Sequence, residues 1–359
     1  MLHAVIMAGG AGTRFWPASR VDRPKQLLEL VGSTSMIKAT IDRLGDLVPP
    51  ERTLVVTNQR LAEPIAAQLP QLSAAAIIGE PCKRDTAPCI GLAAMLLQRQ
   101  DPDATMVVMP SDHVIQDEHK FREAVTQADA LVQERPQRIV TFGIPPTYAA
   151  EIFGYVERAE PISGAGSAAT YRVAQFREKP QAALAKQYLE SGSFYWNSGI
   201  FVWKAHTILD QLAVHEPEMT THLQAITAAH GGKNFDEIFQ EEFAAIDGRS
   251  IDYAVMEHAT DVVVIEAPFD WDDVGSWQSL SRLLDSDEDQ NVIDARHMGI
   301  DTTGCIIRGR PEHLIVTLGV SDCIIVQTPD ATLVANKHDE EAIRELVKMI
   351  EQRGWTEYL

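Results

Sequence analysis

The first half of the chain alternates short apolar runs with amphipathic stretches. Apolar runs rich in β-forming residues stand at His3–Met7, Thr53–Thr57, Ala75–Ile78, Thr105–Met109 and Arg138–Phe142. Between them, Ser35–Leu44, Leu61–Gln68, Thr86–Gln98 and Lys120–Gln133 carry apolar residues at helical spacing. The strand-like runs are continuous rather than alternating, as expected of strands buried on both faces. The pattern predicts an α/β fold: a Rossmann-like mixed, mostly parallel sheet covered by helices. In such sheets ligands gather at the carboxyl ends of the strands. That rule puts the loop after the first run on the same rim as Met109–His113, which ends the fourth.

The middle changes character. Gly154–Ala159 and Thr170–Phe176 are predicted strands, Pro180–Leu189 a helix, and Phe194–Trp203 a long apolar run. Helical segments fill much of Ala205–Glu257, and Asp261–Ile265 is another strand. This region is expected to pack on the same sheet as an insertion. After Asp285 a polar, acidic joint (LLDSDEDQN) precedes the short runs GCIIRG, HLIVTLG, DCIIVQT and ATLVAN. Their spacing of roughly ten residues suits stacked or meandering short strands, a small C-terminal β-rich, solenoid-like region. An amphipathic helix over Asp339–Gln352 closes the chain, with Asp339 as its cap and Ile343, Leu346, Val347 and Ile350 on one face. The expected division is 1–285 and 286–359.

Composition narrows the function classes. The chain has 359 residues, 45% of them hydrophobic, and a net charge of −20. That length and apolar share support a large core plus a smaller domain. The acidic balance argues against nucleic acid and anionic membrane as partners. No apolar run approaches ~18 residues, and the amino terminus lacks the basic and apolar pattern of an export signal. Cys82, Cys89, Cys305 and Cys323 form no C-x-x-C pair, so buried free thiols and a cytoplasmic location are expected.

Against this acidic background, Ala8–Gln26 (AGGAGTRFWPASRVDRPKQ) combines Gly9, Gly10 and Gly12 with Arg14, Arg20, Arg23 and Lys25. It is not a Walker A loop, for it holds no glycine–lysine–hydroxyl triplet, and Phe15 stands where a dinucleotide fingerprint needs its third glycine. The glycines still let backbone amides approach an anion and line a nest for it. Pro17 and Pro24 stiffen the path. A stiff basic loop at a sheet's carboxyl edge suits phosphates; the plainer alternative is a tight turn with surface arginines.

The pattern G-G-x-G-T-R-x-W-P-x-S-R…P-K-Q, Gly9 to Gln26, resembles the signature of the sugar-1-phosphate nucleotidylyltransferases. Its Trp16-Pro17 and Ser19-Arg20 elements resemble the mannose-1-phosphate guanylyltransferase branch. Further matches follow in order: EPCKRDTAP (Glu80–Pro88), PSDH (Pro110–His113), FGY (Phe153–Tyr155), FREKP (Phe176–Pro180), WNSGIFVW (Trp196–Trp203), DYAVME (Asp252–Glu257) and FDWDDVGSW (Phe269–Trp277). The resemblance implies transfer of GMP from GTP to mannose 1-phosphate, giving GDP-mannose and pyrophosphate. It implies that Gly9, Gly10, Gly12 and Thr13 cradle the nucleotide. Arg14 and Lys25 are then the catalytic cations, and Arg84, Asp85 and Thr86 lie near the base. It assigns Gly154, Glu178, Lys179 and Asn197 to the sugar phosphate, and Asp112 and Asp273 to Mg²⁺.

Simpler roles stand beside these. Asp112 suits a turn or a helix cap, Asp85 or Thr86 a cap, and Glu178–Lys179 an exposed ion pair. Asp272 neighbours Asp273, which the family's D-x-G pattern favours. The tail has no room for the isomerase domain of bifunctional relatives, so isomerase activity is not expected. Its short apolar strands suit pairing across a two-fold axis, giving a homodimer. Alternative functions are nucleotidylyl transfer with another sugar 1-phosphate or NTP, and a non-catalytic nucleotide-sugar sensor.

Overall fold

The computed structural model describes residues 1–10, 13–164 and 166–359. Its contacts group into two compact units, Met1–Gly9 with Ile41–Ser111 and Ile115–Trp271, and Gly10–Thr40 with Asp112–Val114 and Asp272–Leu359. This border does not follow a single cut at residue 285. The segment after the first strand groups with the carboxyl-terminal strands.

The first unit is built on a nine-stranded sheet. Its strands are β1 (Leu2–Ala8), β2 (Thr53–Asn58), β3 (Ile77–Glu80), β4 (Thr105–Pro110), β5 (Ile139–Ile144), β6 (Tyr155–Pro161), β7 (Thr170–Arg177), β8 (Phe194–Lys204) and β9 (Val262–Glu266). They lie in the order β3-β2-β1-β4-β8-β5-β9-β7-β6. The sheet is mixed. Parallel pairing runs through β3-β2-β1-β4 and joins β5 to β9. Strand β8 enters antiparallel between β4 and β5, and β6 and β7 extend the antiparallel edge. The middle region is therefore part of the same sheet, as its apolar runs suggested. Strands β1 and β4 end side by side, with Met7 opposite Pro110.

Ala4, Val5 and Ile6 are fully buried, so both faces of β1 are covered. The helix Thr86–Gln100 buries Ile90, Leu92, Ala93 and Leu97 in a core shared with Leu212, Leu223 and Phe243 of later helices. One boundary moves in a way that matters. Ala74–Ala76 form a single 3-10 turn, so the third strand starts at Ile77 and runs to Glu80. Alanine has little preference for the pleated surface, and the strand waits for Ile77 and Ile78.

In the second unit Phe15, Trp277, Leu280, Ile306, Ile324 and Leu333 share one core. Val292–Asp294, Ile306–Arg308 and Cys323–Gln327 pair parallel, and Thr332–Asn336 closes that sheet antiparallel. Arg296–Thr303 pairs parallel with Leu314–Ser321 in a second sheet. Parallel strands joined by short connections are the signature of a solenoid winding. The last helix spans Ile343–Gln352 and follows a 3-10 turn, Lys337–Ala342. Asp339 does not cap it: the helix starts after Ala342 with no side-chain cap, Asn336 caps the preceding turn by accepting from the His338 amide at 2.8 Å, and Asp339 sits at a kink inside that turn. Ile343 is buried, whereas Leu346 is exposed. All four cysteines are free thiols. Among the described residues no helix is long and apolar enough to cross a membrane.

Candidate functional site

The second unit gathers the charged loop residues. Thr13–Phe15 form one tight turn whose Phe15 ring is fully buried, 5.0 Å edge-on from Trp277. This explains the missing third glycine: the position anchors the loop in the core. Gln26 steadies the glycine segment by donating Nε2 to the Gly10 carbonyl at 3.3 Å. Lys25, in the turn Lys25–Leu27, is only 7% exposed. Its ammonium donates to Asp112 Oδ2 at 2.9 Å and to the Asp273 carbonyl at 2.6 Å. Burial disfavours the charge on Asp112, but Lys25, His113 and Arg14 outweigh it and hold the carboxyl below its usual range. Asp273 goes the other way. Burial first, then the nearby Asp272 and Asp112 carboxylates, raise its pKa against the pull of Lys25 and Arg14. Arg14 is exposed and acts on both carboxylates as a charge.

The turn around Asp273 is sharp. Val274 is fully buried at φ +46°, a conformation few β-branched residues adopt. A Cβ on Gly275 would lie 2.8 Å from Asp273 Oδ2 and 3.4 Å from Arg14 Nη1, so only glycine leaves that carboxylate its space. Asp272 is spent elsewhere, accepting from the Val274 amide at 2.7 Å and from Arg282 Nε at 2.8 Å. Among the described residues no three His, Cys, Asp or Glu side chains form a metal cage. The Asp112–Asp273 pair is instead an all-oxygen, two-carboxylate set. Two carboxylates fit a hard divalent cation whose other ligands are phosphate oxygens and water.

The first unit holds a polar cluster on β6, β7 and β8. A Cβ on Gly154 would lie 2.5 Å from Glu178 Oε2 and 3.3 Å from the Asn197 Cβ, so this glycine permits a close approach. The Gly154 carbonyl accepts from the Asn197 amide at 2.8 Å. Glu178 and Lys179 are consecutive, yet their side chains meet at 2.5 Å. Strand geometry alone would point them to opposite faces; Lys179, at φ +44°, breaks the strand before Pro180. Burial lowers the Lys179 pKa, and the Glu178 hydrogen bond and charge more than reverse this. Asn197 Oδ1 accepts from Thr141 Oγ1 at 3.1 Å and from the Gly199 amide at 3.3 Å, and its Nδ2 donates to Asp252 Oδ1 at 3.1 Å.

The residues expected near the base are tied into the scaffold. Arg84 donates to the Ala244 and Lys83 carbonyls. Asp85, at φ +68°, caps the helix Thr86–Gln100 through the Thr86 amide at 2.9 Å, and Thr86 Oγ1 accepts from the Ile251 amide at 2.8 Å. Sequence reasoning passed over Glu80. It ends β3, is 7% exposed, and its Oε1 has no hydrogen-bond partner among the described residues. Its Oε2 lies 3.8 Å from where a Gly9 Cβ would stand. Burial pushes its pKa up to about 8. An unpaired carboxylate oxygen in a closed place costs energy unless a donor arrives. The signal was present, since Glu80 opens the EPCKRDTAP match, but burial is not written in a single residue. Gly9 and Gly10 are both exposed, and a Cβ on Gly10 would meet nothing within 4 Å among the described residues. Thr13 opens the tight turn, its carbonyl accepting from the Trp16 amide at 3.2 Å. Gly12, expected in the same loop, lies outside the described residues.

A basic segment after the first strand of a Rossmann-like sheet, with Lys25 fixed beside a carboxylate pair, is an arrangement suited to phosphorylated nucleotides. Residues 3–290 match the family model described as nucleotidyl transferase, and residues 295–350 match a mannose-phosphate isomerase/GMP-like β-helix domain. A mannose-1-phosphate guanylyltransferase of Klebsiella pneumoniae is 38% identical over 361 residues, covering 100% of this chain and 76% of its own length. One from Salmonella typhimurium is 40% identical over 359 residues, covering 99% of this chain and 73% of its own. A crystal structure from Thermus thermophilus, described as a mannose-1-phosphate geranyltransferase, superposes with a TM-score of 0.86 at 33% identity. It covers 98% of this chain and 99% of its own. The chain belongs to the mannose-1-phosphate guanylyltransferase family of nucleotidyl transferases.

Proposed function

We propose that the chain transfers GMP from GTP to α-D-mannose 1-phosphate, giving GDP-mannose and pyrophosphate. A phosphate oxygen of the sugar 1-phosphate attacks the α-phosphorus. The new O–P bond forms as the bond to the β-phosphate oxygen breaks, and pyrophosphate leaves with that electron pair. Both reactants are anions, so the work is neutralisation and alignment. The observation that carries the reading is the Lys25 ammonium fixed between the Asp112 carboxylate and the Asp273 carbonyl. Lys25 is held rigid and shielded from water, as a cation must be to stabilise charge at the α-phosphate without reorganising. Arg14 serves the departing pyrophosphate, and the amides around Gly9 and Gly10 the triphosphate. Asp112 and Asp273 hold Mg²⁺, which supplies neutralising charge. Gly154, Glu178, Lys179 and Asn197 take the sugar phosphate, Glu178 accepting from its hydroxyls.

Glu80 is the base reader in this scheme. Guanine presents adjacent N1–H and N2–H donors, which pair with two carboxylate oxygens and so favour the ionised form of Glu80 over the neutral acid that burial favours in the free chain. Arg84, Asp85 and Thr86 support that pocket through the backbone rather than by reading the base. We also propose a homodimer. Met298, Ile300, Leu314, Val316 and Leu318 share one face of a two-stranded sheet and are 50% to 73% exposed. A contiguous apolar face of this kind is costly in water, and a self-complementary one suits a two-fold contact. Four free thiols suit a reducing, cytoplasmic setting.

The test is pyrophosphate release across four nucleoside triphosphates with mannose 1-phosphate and glucose 1-phosphate. GTP with mannose 1-phosphate is the expected best pair; a preference for UTP or dTTP with glucose 1-phosphate overturns the assignment. Asp273→Asn is expected to abolish turnover while the far-ultraviolet circular dichroism stays unchanged. Retained turnover with normal Mg²⁺ dependence removes the metal role. Lys25→Ala should lower kcat more than it weakens sugar-phosphate binding.

A further inference from the structure

We infer that Asp252 is a positioning residue of the sugar-phosphate subsite, fixing the Asn197 amide and setting the charge that the incoming phosphate meets. The inference rests on the function proposed above and adds a residue to it.

Asp252 begins a single π-turn, Asp252–Met256. Such turns are rare and tend to mark functional positions, because they give up regular hydrogen bonding to aim a side chain. Here the carboxylate is aimed at Asn197 Nδ2, 3.1 Å away. The other end of that amide already accepts from Thr141 Oγ1 and the Gly199 N–H. Three bonds therefore fix which way Asn197 faces. Its Oδ1 is satisfied by the protein, and among the described residues only Asp252 takes a bond from Nδ2, leaving its other N–H for a ligand oxygen. Without Asp252, the inner N–H would lose its acceptor and the amide its orientation.

Charge supplies the second half. Asp252 shares its surroundings with Glu178 and Lys179 at the end of β7, with Asp85 at the cap of the helix Thr86–Gln100, and with Tyr253 on its own turn. Glu178 also receives Glu257, whose Oε1 accepts from the Glu178 amide at 3.4 Å. With Asp252 ionised, its own carboxylate and those of Glu178 and Asp85 face the Lys179 ammonium where a phosphorylated sugar must arrive. Burial first, then Glu178, pushes the Asp252 pKa up to about 7, with Lys179 opposing and Asp85 adding. The neutral acid still accepts from Asn197, so protonation removes charge without releasing the amide. An anionic ligand prefers the protonated form, and its binding must weaken as pH rises through this range.

The experiment measures KM for mannose 1-phosphate, KM for GTP and kcat from pH 6 to 9 in wild type, Asp252→Asn and Asp252→Ala. The second ionisation of the sugar phosphate is common to all three and cancels in ratios. The wild-type KM for mannose 1-phosphate should rise about tenfold relative to Asp252→Asn across this span, the equivalent of one pKa unit of coupling. Asp252→Asn should be flat, because the amide keeps an acceptor for Asn197 but has no proton to lose. Asp252→Ala should raise that KM at every pH and leave KM for GTP unmoved. Parallel pH profiles in wild type and Asp252→Asn overturn the inference, as does an equal change in both KM values. If wild type releases no pyrophosphate from GTP and mannose 1-phosphate, the functional reading falls and this inference with it. If wild type turns over and the ratio is flat, only the inference falls.

Discussion

Glu80 combines burial, an oxygen without a partner among the described residues and a pKa of about 8. A carboxyl raised from 4.5 in the unfolded chain adds stability that is full below pH 4.5 and is lost as pH rises toward 8. Glu80→Gln removes this liability while keeping the shape. Urea denaturation should find the variant more stable than wild type at pH 8.5, by on the order of a few kcal/mol, and equal to it near pH 4.5. The same variant should lose discrimination for GTP over ATP, because one end of its amide donates where guanine also donates. Stability that does not differ at pH 8.5 would show Glu80 to be solvated or paired. Neighbouring residues teach the opposite lesson. Asp85 and Thr86 read equally well as a cap or as base contacts in the sequence, and their hydrogen bonds are those of a cap and a loop tie.

At the scale of elements, the sheet brings segments together that are far apart in the chain. Gly154 precedes β6, Glu178 follows β7 and Asn197 lies on β8, and the pairings β6–β7 and β6–β8 make them neighbours. Gly154→Ala places a methyl 2.5 Å from Glu178 Oε2, so the carboxylate must move. KM for mannose 1-phosphate should rise at least tenfold, since a displaced acceptor forfeits a charge-assisted hydrogen bond of ~1.5–3 kcal/mol. KM for GTP should stay within a factor of about two, and thermal unfolding separates this from general destabilisation. A KM unaffected by the methyl would place the sugar elsewhere. Element type and order were legible from apolar spacing, including a middle region that joins the main sheet. The ends were less so: β3 slips to Ile77–Glu80, and Asn336 rather than Asp339 caps the last turn. Capping depends on backbone dihedrals that several polar residues in a row satisfy equally well.

At the scale of the whole molecule, the prediction concerns association. Val316 and Leu318 point outward from their strand, opposite Met298 and Ile300 of its neighbour. Val316→Asp with Leu318→Asp puts charge on that face without touching the buried side. Sedimentation equilibrium should show a dimer for wild type and a monomer for the double variant at equal concentration, both folded. A wild-type monomer at tens of micromolar removes the dimer. The chain's charge of −20 makes the local gathering of Arg14 and Lys25 the more telling, since distant carboxylates are screened and close cations are not. The alternation of strands and helices, the glycine-and-cation loop and the order of motifs that marks the family are all legible in the linear chain. These depend on local spacing and residue type, which a linear text carries. That Phe15 anchors the loop, that Glu80 is buried with an oxygen unpaired among the described residues, and that Asp252 holds Asn197 emerges only in the folded chain. Each of those is a matter of distance and solvent exclusion between residues that the chain itself keeps far apart.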